Sequence, residues 1–563
     1  MKKILIVLVL IAVIILASIQ LFKGPRATES AAALVPQDTV LFLEFPDLEQ
    51  TAAGWQQSPM GQMLVDEALR PFWQRPLAEL FAGEEWKTAC SLLATLKTKS
   101  IFLAATFAET GTPQILLGFQ AASGAEGMNA VLQRLHDEVT ANGGTGPEAW
   151  SNGGASGLRQ SWNDSTMWTG VLNGWGVIAN SEKGLGDFLV RIQGGQSETS
   201  LHNSENFRKT IVSLGMDQPD VLMYMSPAEV MRQLREFATA QGAVPISQQF
   251  DQLEQWETLA FAVKMSADGV TEKAVAWTTD GAPIHTGSGL AEFATRFAPA
   301  DTLFLTSLVW EPATQLTAIW PSLPPEFLQV MEYSGIDPTN VSNSLGDKVS
   351  LALWWPGGSL LPSALAVTEI KDPDAFGSLA GKLGGLLAGE TTIDSSGTLT
   401  TMTFRADALG LVSPTMAYRE SHGFLAMNPG DIALALATEE SGGGLAKGET
   451  WKKASPFLSK GSIQLTLVDV PGIVRRAYAT FQPMLGFAAA MNPQVSRYAD
   501  FSRLPEADAL VRHLGPVLAR REAIPGGGVR TEINGPVTWS SLLLALPAGL
   551  ADGFSHLNSI AEE

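Results

Sequence analysis

The chain has 563 residues, 45% of them apolar and 17% charged, and a formal charge of −20. That length exceeds one ordinary core, and the composition describes a chain that buries a large interior instead of staying disordered. The acidic balance argues against nucleic acid as a partner, because its phosphates need compensating Lys and Arg, and against flat docking on an anionic membrane surface.

The first residues stand apart. Lys2 and Lys3 precede an uncharged run from Ile4 through Leu8 and Ile14 to Phe22, and Lys23 and Arg26 follow it. Nineteen residues at about 1.5 Å each span roughly 28 Å, close to the hydrocarbon core of a bilayer. The run is longer than the apolar part of a cleaved signal peptide, and no good small-x-small site directly follows it. Residues 1–26 therefore read as a signal-anchor. Lys2 and Lys3 set its topology, with the N-terminus in the cytoplasm and the body outside. Secretion after signal cleavage is the alternative. Setting aside the four cations of this segment leaves −24 on the remainder. Cys90 is the only cysteine, so no intramolecular disulfide is available, and its apolar setting reads as a buried, inert thiol.

Residues 27–35 read as a tether. Pro36-Gln37-Asp38-Thr39 leads into a strand, Val40 to Phe45, and residues 47–97 read as helical with breaks at Pro59, Pro71 and Pro76. Two strands follow, Ser100 to Phe107 and Gln114 to Gln120. Next comes an amphipathic helix with Met128, Val131, Leu132, Leu135 and Val139 on one face. A meander of short strands carries Trp162, Trp168 and Trp175. A hairpin, Leu259 to Met265 and Val270 to Trp277, turns at Ala267-Asp268-Gly269.

The same order then returns. Phe42 in LVPQDTVLFLEF matches Leu305 in FAPADTLFLTSL, an offset of 263. Leu103, Met128, Val131 and Leu135 match Leu351, Phe376, Leu379 and Leu383 at 248. Gly186-Asp187 and Glu205, Phe207 and Lys209 match Gly430-Asp431 and Glu449, Trp451 and Lys453 at 244. The expected architecture is α+β: two tandem copies of one mixed unit, 36–280 and 290–563, with mainly antiparallel sheets and helices packed on one face. A single N-terminal transmembrane helix precedes them.

Chemical motifs are missing. The six histidines lack partners at ligand spacing and HExxH is absent; no GxSxG elbow occurs, and Gly381-Lys382 is followed by Leu383 where a phosphate loop needs Ser or Thr. The sequence identifies no catalytic, cofactor-binding or metal-ligating residue. Asp372 and Asp374 read as helix caps, as do the matched Gly186-Asp187 and Gly430-Asp431. Trp354-Trp355, just before Pro356-Gly357-Gly358, is the one feature suggesting contact. Alternation sends one ring inward and the other outward, where it offers an anchor for a ligand, lipid or partner. The apolar run Ser541 to Leu550 is too short to span a membrane and reads as a buried strand.

The opening P-x-D-T plus apolar strand (Pro36 to Leu43), the anchor, the repeated body and the stretch LPEADALVRHLGPVLARREAIPGGGVRTEINGP (Leu504 to Pro536) together resemble a bacterial family of signal-anchored envelope proteins with a domain of unknown function. The resemblance implies a bacterial source and an extracytoplasmic body, and brings no catalytic residues. The expectation is a non-enzymatic binding or scaffold module on the inner membrane with its body in the periplasm. It would need no cofactor and would contact another envelope protein or an apolar ligand held between the copies. A carrier or sensor for lipids, and an enzyme with a site built from scattered residues, are the alternatives. Positions kept in both copies read as scaffold, so function is to be sought where they differ, notably Trp354-Trp355 against Thr106-Phe107.

Overall fold

The computed structural model describes residues 30–70, 98–108, 112–122, 124–152, 155–162, 165–195, 197–240, 253–281, 284–386, 391–404, 412–459, 461–491 and 505–538. The anchor residues Lys2, Lys3, Ile4, Leu8, Ile14 and Phe22, together with Cys90 and the run from Ser541, lie outside these. Among the described residues no helix is long and apolar enough to cross a membrane. The chain is α+β, and it divides into two compact units. One comprises Met1–Ala282, Asn492–His513 and Pro525–Glu563; the other comprises Pro283–Met491 and Leu514–Ile524.

In chain order the first stretch gives β1 (Leu41–Phe45), α1 (Leu48–Gln57), α2 (Pro59–Val65), β2 (Thr98–Phe107), β3 (Pro113–Ala121) and α3 (Gly124–Ala141). Then come β4 (Glu148–Asn152), β5 (Ala155–Trp162), β6 (Ser165–Leu172), β7 (Trp175–Ala179), α4 (Glu182–Ile192) and α5 (Glu205–Leu214). β8 (Val221–Met225), α6 (Pro227–Ala240), β9 (Trp256–Ser266) and β10 (Gly269–Thr278) complete it. The second stretch runs α7 (Leu290–Arg296), β11 (Thr302–Val309), α8 (Pro312–Ile319), α9 (Pro325–Tyr333), α10 (Pro338–Ser344), β12 (Leu345–Trp354), β13 (Ser363–Ile370) and α11 (Pro373–Leu386). It continues with β14 (Thr391–Ser396), β15 (Leu399–Phe404), β16 (Thr415–Arg419), β17 (His422–Ala426), α12 (Pro429–Glu440), α13 (Glu449–Leu458) and β18 (Gln464–Val468). Last are α14 (Val470–Met491), α15 (Ala507–Val511), β19 (Val517–Ile524) and β20 (Gly528–Gly535).

Within each unit the strands pair antiparallel, and the two units share one strand order. In the first unit it is β4-β5-β6-β7-β3-β2-β1-β8-β9-β10. In the second it is β14-β15-β16-β17-β13-β12-β11-β18-β19. Registers agree as well. Phe42 lies opposite Ala104 and Tyr224, and Leu305 lies opposite Ala352 and Leu467. The Leu201 N–H donates to Val35 O at 2.9 Å, and the Leu445 N–H donates to Ala298 O at the same distance. Thr39 and Thr302 each fold back a hydroxyl and an N–H onto the carbonyl of Pro36 and Pro299. That Thr–Pro turn is the physical content of the P-x-D-T motif.

Three expectations change. Helices cover both faces of the first unit's sheet, not one. Ile101 and Leu103 pack with Leu48 and Trp55 of α1 and Met128 and Leu132 of α3. The alternate residue Phe102 stacks on Phe188 of α4 at 5.8 Å, and Phe42 meets Phe207 of α5 at 6.2 Å. The unbroken apolar run of β2 is the sequence mark of a strand buried on both sides. Next, Ser30–Val35, within the stretch expected to be a tether, packs against the unit, with Ala31, Ala32 and Val35 buried. The Glu44 carboxylate accepts from the Ala31 N–H at 2.8 Å and the Ser30 hydroxyl at 3.1 Å, which holds this turn down. At the 263 offset it corresponds to α7. Finally, β20 lies along β10 from Val270–Gly535 to Trp277–Gly528, so the range 290–563 is shared between the two units. Eight paired residues satisfy an edge that β10 would otherwise leave open.

Candidate functional site

The β2–β3 hairpin of the first unit runs on past the start of α4, and a cavity of about 480 Å³ lies between them. Ala104 and Thr106 of β2, Ala108 just after it, and Gln114 and Leu116 of β3 face it. Lys183, Gly184 and Asp187 of α4 form the opposite wall, and Pro36 and Asp38 of the Thr–Pro turn lie at the rim. Local interactions fix each wall. The Ser181 hydroxyl caps α4 by accepting the Gly184 N–H at 3.0 Å. The Asn180 side chain accepts the Ile115 N–H at 2.7 Å and donates to Pro113 O at 3.0 Å, pinning β3 to the start of the helix.

The charges are arranged unevenly. Lys183 Nζ is 2.7 Å from Asp187 Oδ2, one helical turn away, a solvated pair worth about 0.5 kcal/mol. Asp38 has no hydrogen bond or ion pair among the described residues. Behind the wall, Arg191 is only 7% exposed, donates to the Asp187 carbonyl at 3.2 Å, and leaves its Nε without a partner. Burial pulls its guanidinium below the usual range, opposed by the charges of Asp187 and Asp38.

The second unit treats the same place differently. Thr106 pairs with Gln114 across β2–β3, and Trp354 pairs with Ser363 across β12–β13, so the two pairs correspond in register and face. Trp354 is 2% exposed. The Ser363 hydroxyl bonds the carboxyl of Asp431 in the first turn of α12, whose pKa burial raises against that bond. An indole and a buried carboxyl therefore stand where the first unit has Thr106, Gln114 and Gly184.

The residues singled out in the sequence fall as follows. Trp354 is in the core; Trp355 is half-buried, donates to Ser359 O at 2.9 Å and packs edge-on against Phe481 at 5.8 Å. The match of Gly186-Asp187 with Gly430-Asp431 as caps needs correction. Asp431 belongs to a capping box with Asn428, whereas Asp187 sits in the second turn of α4 and pairs with Lys183. The caps that correspond are Ser181 and Asn428, an offset of 247, which also superposes the β3–β7 and β13–β17 registers. Asp372 does cap α11, accepting the Asp374 and Ala375 N–H groups at 3.1 and 3.0 Å. His136 is a core residue, bonded to Gln160 Oε1 at 2.6 Å and Thr169 Oγ1 at 2.9 Å. Among the described residues no three His, Cys, Asp or Glu side chains gather to hold a metal. Of the cavity residues, Lys183 carried no sequence signal, Asp187 was marked only as a repeated cap, and Thr106 stood out through its mismatch with Trp354.

No family model matches the chain, and no curated protein does. Solved structures of TP0453 are similar at 11% identity. Crystal form I has a TM-score of 0.23 and covers 46% of this chain and 82% of its own. Form III has a TM-score of 0.24 with coverage of 46% and 84%, and form IV has 0.24 with 44% and 79%. Scores at that level carry no argument about fold or function.

Proposed function

We propose that the protein is a non-enzymatic binding module of the bacterial cell envelope, tethered by residues 1–26 to the inner membrane, with two copies of one α+β unit in the periplasm. Its ligand site is the cavity beside Thr106. The observation that carries this is the exchange of Thr106 for a buried Trp354 at matched positions. A scaffold duplicated for stability alone has no reason to keep one copy open. The volume lies within the range of small-molecule pockets, and the wall combines apolar strand residues with a few charged groups, as such sites do.

The test uses the full chain extracted in detergent. Small molecules released on denaturation are compared between the wild type and Thr106→Trp. A species released by the wild type and depleted in the variant supports the reading; identical profiles overturn the cavity as the site. Hydrolysis of an ester, phosphate or glycoside substrate, abolished by one substitution, would overturn the non-enzymatic assignment. Carbonate-resistant membrane association with a body cleaved by protease added from the periplasmic side tests the anchor.

A lipid carrier is the second reading, favoured by Phe481 of α14, 41% exposed and edge-on to Trp355, and by Met484 of the same helix, 55% exposed. Flotation with phosphatidylglycerol vesicles that Phe481→Ser abolishes would support it; flotation unchanged by that substitution counts against it.

A further inference from the structure

We propose that the cavity beside Thr106 takes a flat, indole-sized aromatic molecule bearing a positive charge, an inference resting on the cavity being the ligand site. The second unit supplies the shape. At the matched position the chain buries its own indole, Trp354, beside Ser363 on the paired strand, which in turn bonds Asp431 in the first turn of the corresponding helix. In the first unit Ala104 and Leu116 floor the same space, and Phe107 stands at its edge. Small residues on paired strands leave a slot for a planar ring, and an aromatic neighbour favours edge or offset contact with it.

The rim supplies the charge preference. Two groups there attract anions, Lys183 and the N-terminal end of α4. Both are engaged already: Lys183 with Asp187 at 2.7 Å, and the Gly184 N–H with the Ser181 hydroxyl at 3.0 Å. Arg191 lies behind the wall, donates to the Asp187 carbonyl, and is favoured in its charged form by Asp187 and Asp38 without a hydrogen bond to either carboxylate. Asp38 is the wall charge left without a hydrogen-bonding partner among the described residues. A ligand ammonium at Asp38 completes the set and extends toward Asp187.

The experiment is calorimetric titration of the full chain in detergent with tryptamine, indole and indole-3-acetate, all of one ring size. Tryptamine should bind tightest, indole about fivefold weaker, as one partly exposed ion pair gives, and indole-3-acetate weakest. Thr106→Trp should weaken tryptamine at least tenfold with an unchanged thermal unfolding curve. Asp38→Asn should bring tryptamine to the level of indole and leave indole unaffected. If Thr106→Trp does not fold, Thr106→Leu narrows the same wall and must weaken tryptamine several-fold. Tryptamine binding insensitive to both Thr106 variants, or no binding of any indole, overturns the ligand class. Tightest binding of indole-3-acetate overturns the charge preference. In each of those outcomes the comparison of released molecules still decides separately whether the cavity is the site.

Discussion

Acidification should destabilise the second unit through one residue, His422. Its ring stands edge-on to Phe297 at 5.0 Å and stacks on Phe293 at 6.0 Å, with Nδ1 2.7 Å from the Ser421 hydroxyl. Burial lowers its pKa to about 4, and the charges of Arg296, Arg419 and Lys348 push the same way against Glu439. The folded state thus resists protonation that the unfolded chain accepts near pH 6.5. The contribution to stability is complete above about 6.5 and is lost as pH falls toward 4. The gap is on the order of 3 kcal/mol in all, and roughly 2 kcal/mol of it is gone by pH 5. Replacing the ring with Phe preserves the aromatic contacts and removes the titration. Urea unfolding of the full chain, followed by circular dichroism at pH 7.5 and pH 5, reads the difference. For a slope of about 3 kcal/mol/M, the wild-type midpoint for this unit should drop by about 0.7 M more than that of His422→Phe. Comparison with the variant cancels carboxylates such as Glu44, Asp220 and Asp431, whose raised pKa values act in the opposite sense. Equal drops in the two proteins, or a His422 Cε1–H resonance titrating near 6.5, would refute the reasoning.

Glu44→Ala should strip the Ala31 amide of its acceptor and cost about 1–3 kcal/mol, seen as faster hydrogen exchange at Ala31. Because burial raises the pKa of Glu44, its wild-type contribution is full below about 4.5 and wanes as pH rises through the folded value. Gly118→Ala should destabilise the first unit by about 1–3 kcal/mol in thermal unfolding, since a Cβ there would lie 2.1 Å from Cε1 of Phe102. Asp66→Asn should loosen residues 505–513, where His513 Nε2 and Arg512 reach the carboxylate at 2.7 and 3.2 Å, read as increased proteolysis of that stretch. The His513 bond chiefly lowers the Asp66 pKa, so in the wild type this attachment holds above about 3.8 and weakens as pH falls below it.

Much of the strand framework was legible. The β9–β10 hairpin turns over Ala267 and Asp268, within the stretch that the sequence marks, and Gly269 opens β10 opposite Ser266 at φ +131°, a conformation glycine adopts without penalty. The helix face of Met128 and Leu132 is buried as its spacing predicts, but His136 completes that stripe, and only Gln160 and Thr169, from distant strands, make its burial affordable. The offset of 244 through Gly186-Asp187 failed because identity of two residues outweighed the actual helix starts. A cap is defined by where the backbone turns, and Ser181 and Asn428 share chemistry without sharing identity.

By itself the sequence determined what local forces decide: the period-two strands, the turns at Gly and Pro, and the Thr39 and Thr302 turns that open each sheet. It also marked Thr106 against Trp354 as a place where matched positions part. Only the tertiary structure decided that β2 is covered on both faces, that Ser30–Val35 packs down over Glu44, and that β20 joins β10. The same holds for the cavity, whose walls come from residues 36–38, 104–116 and 183–187. Their meeting depends on burial and strand register across distant parts of the chain. Those are energies that no short stretch of sequence contains.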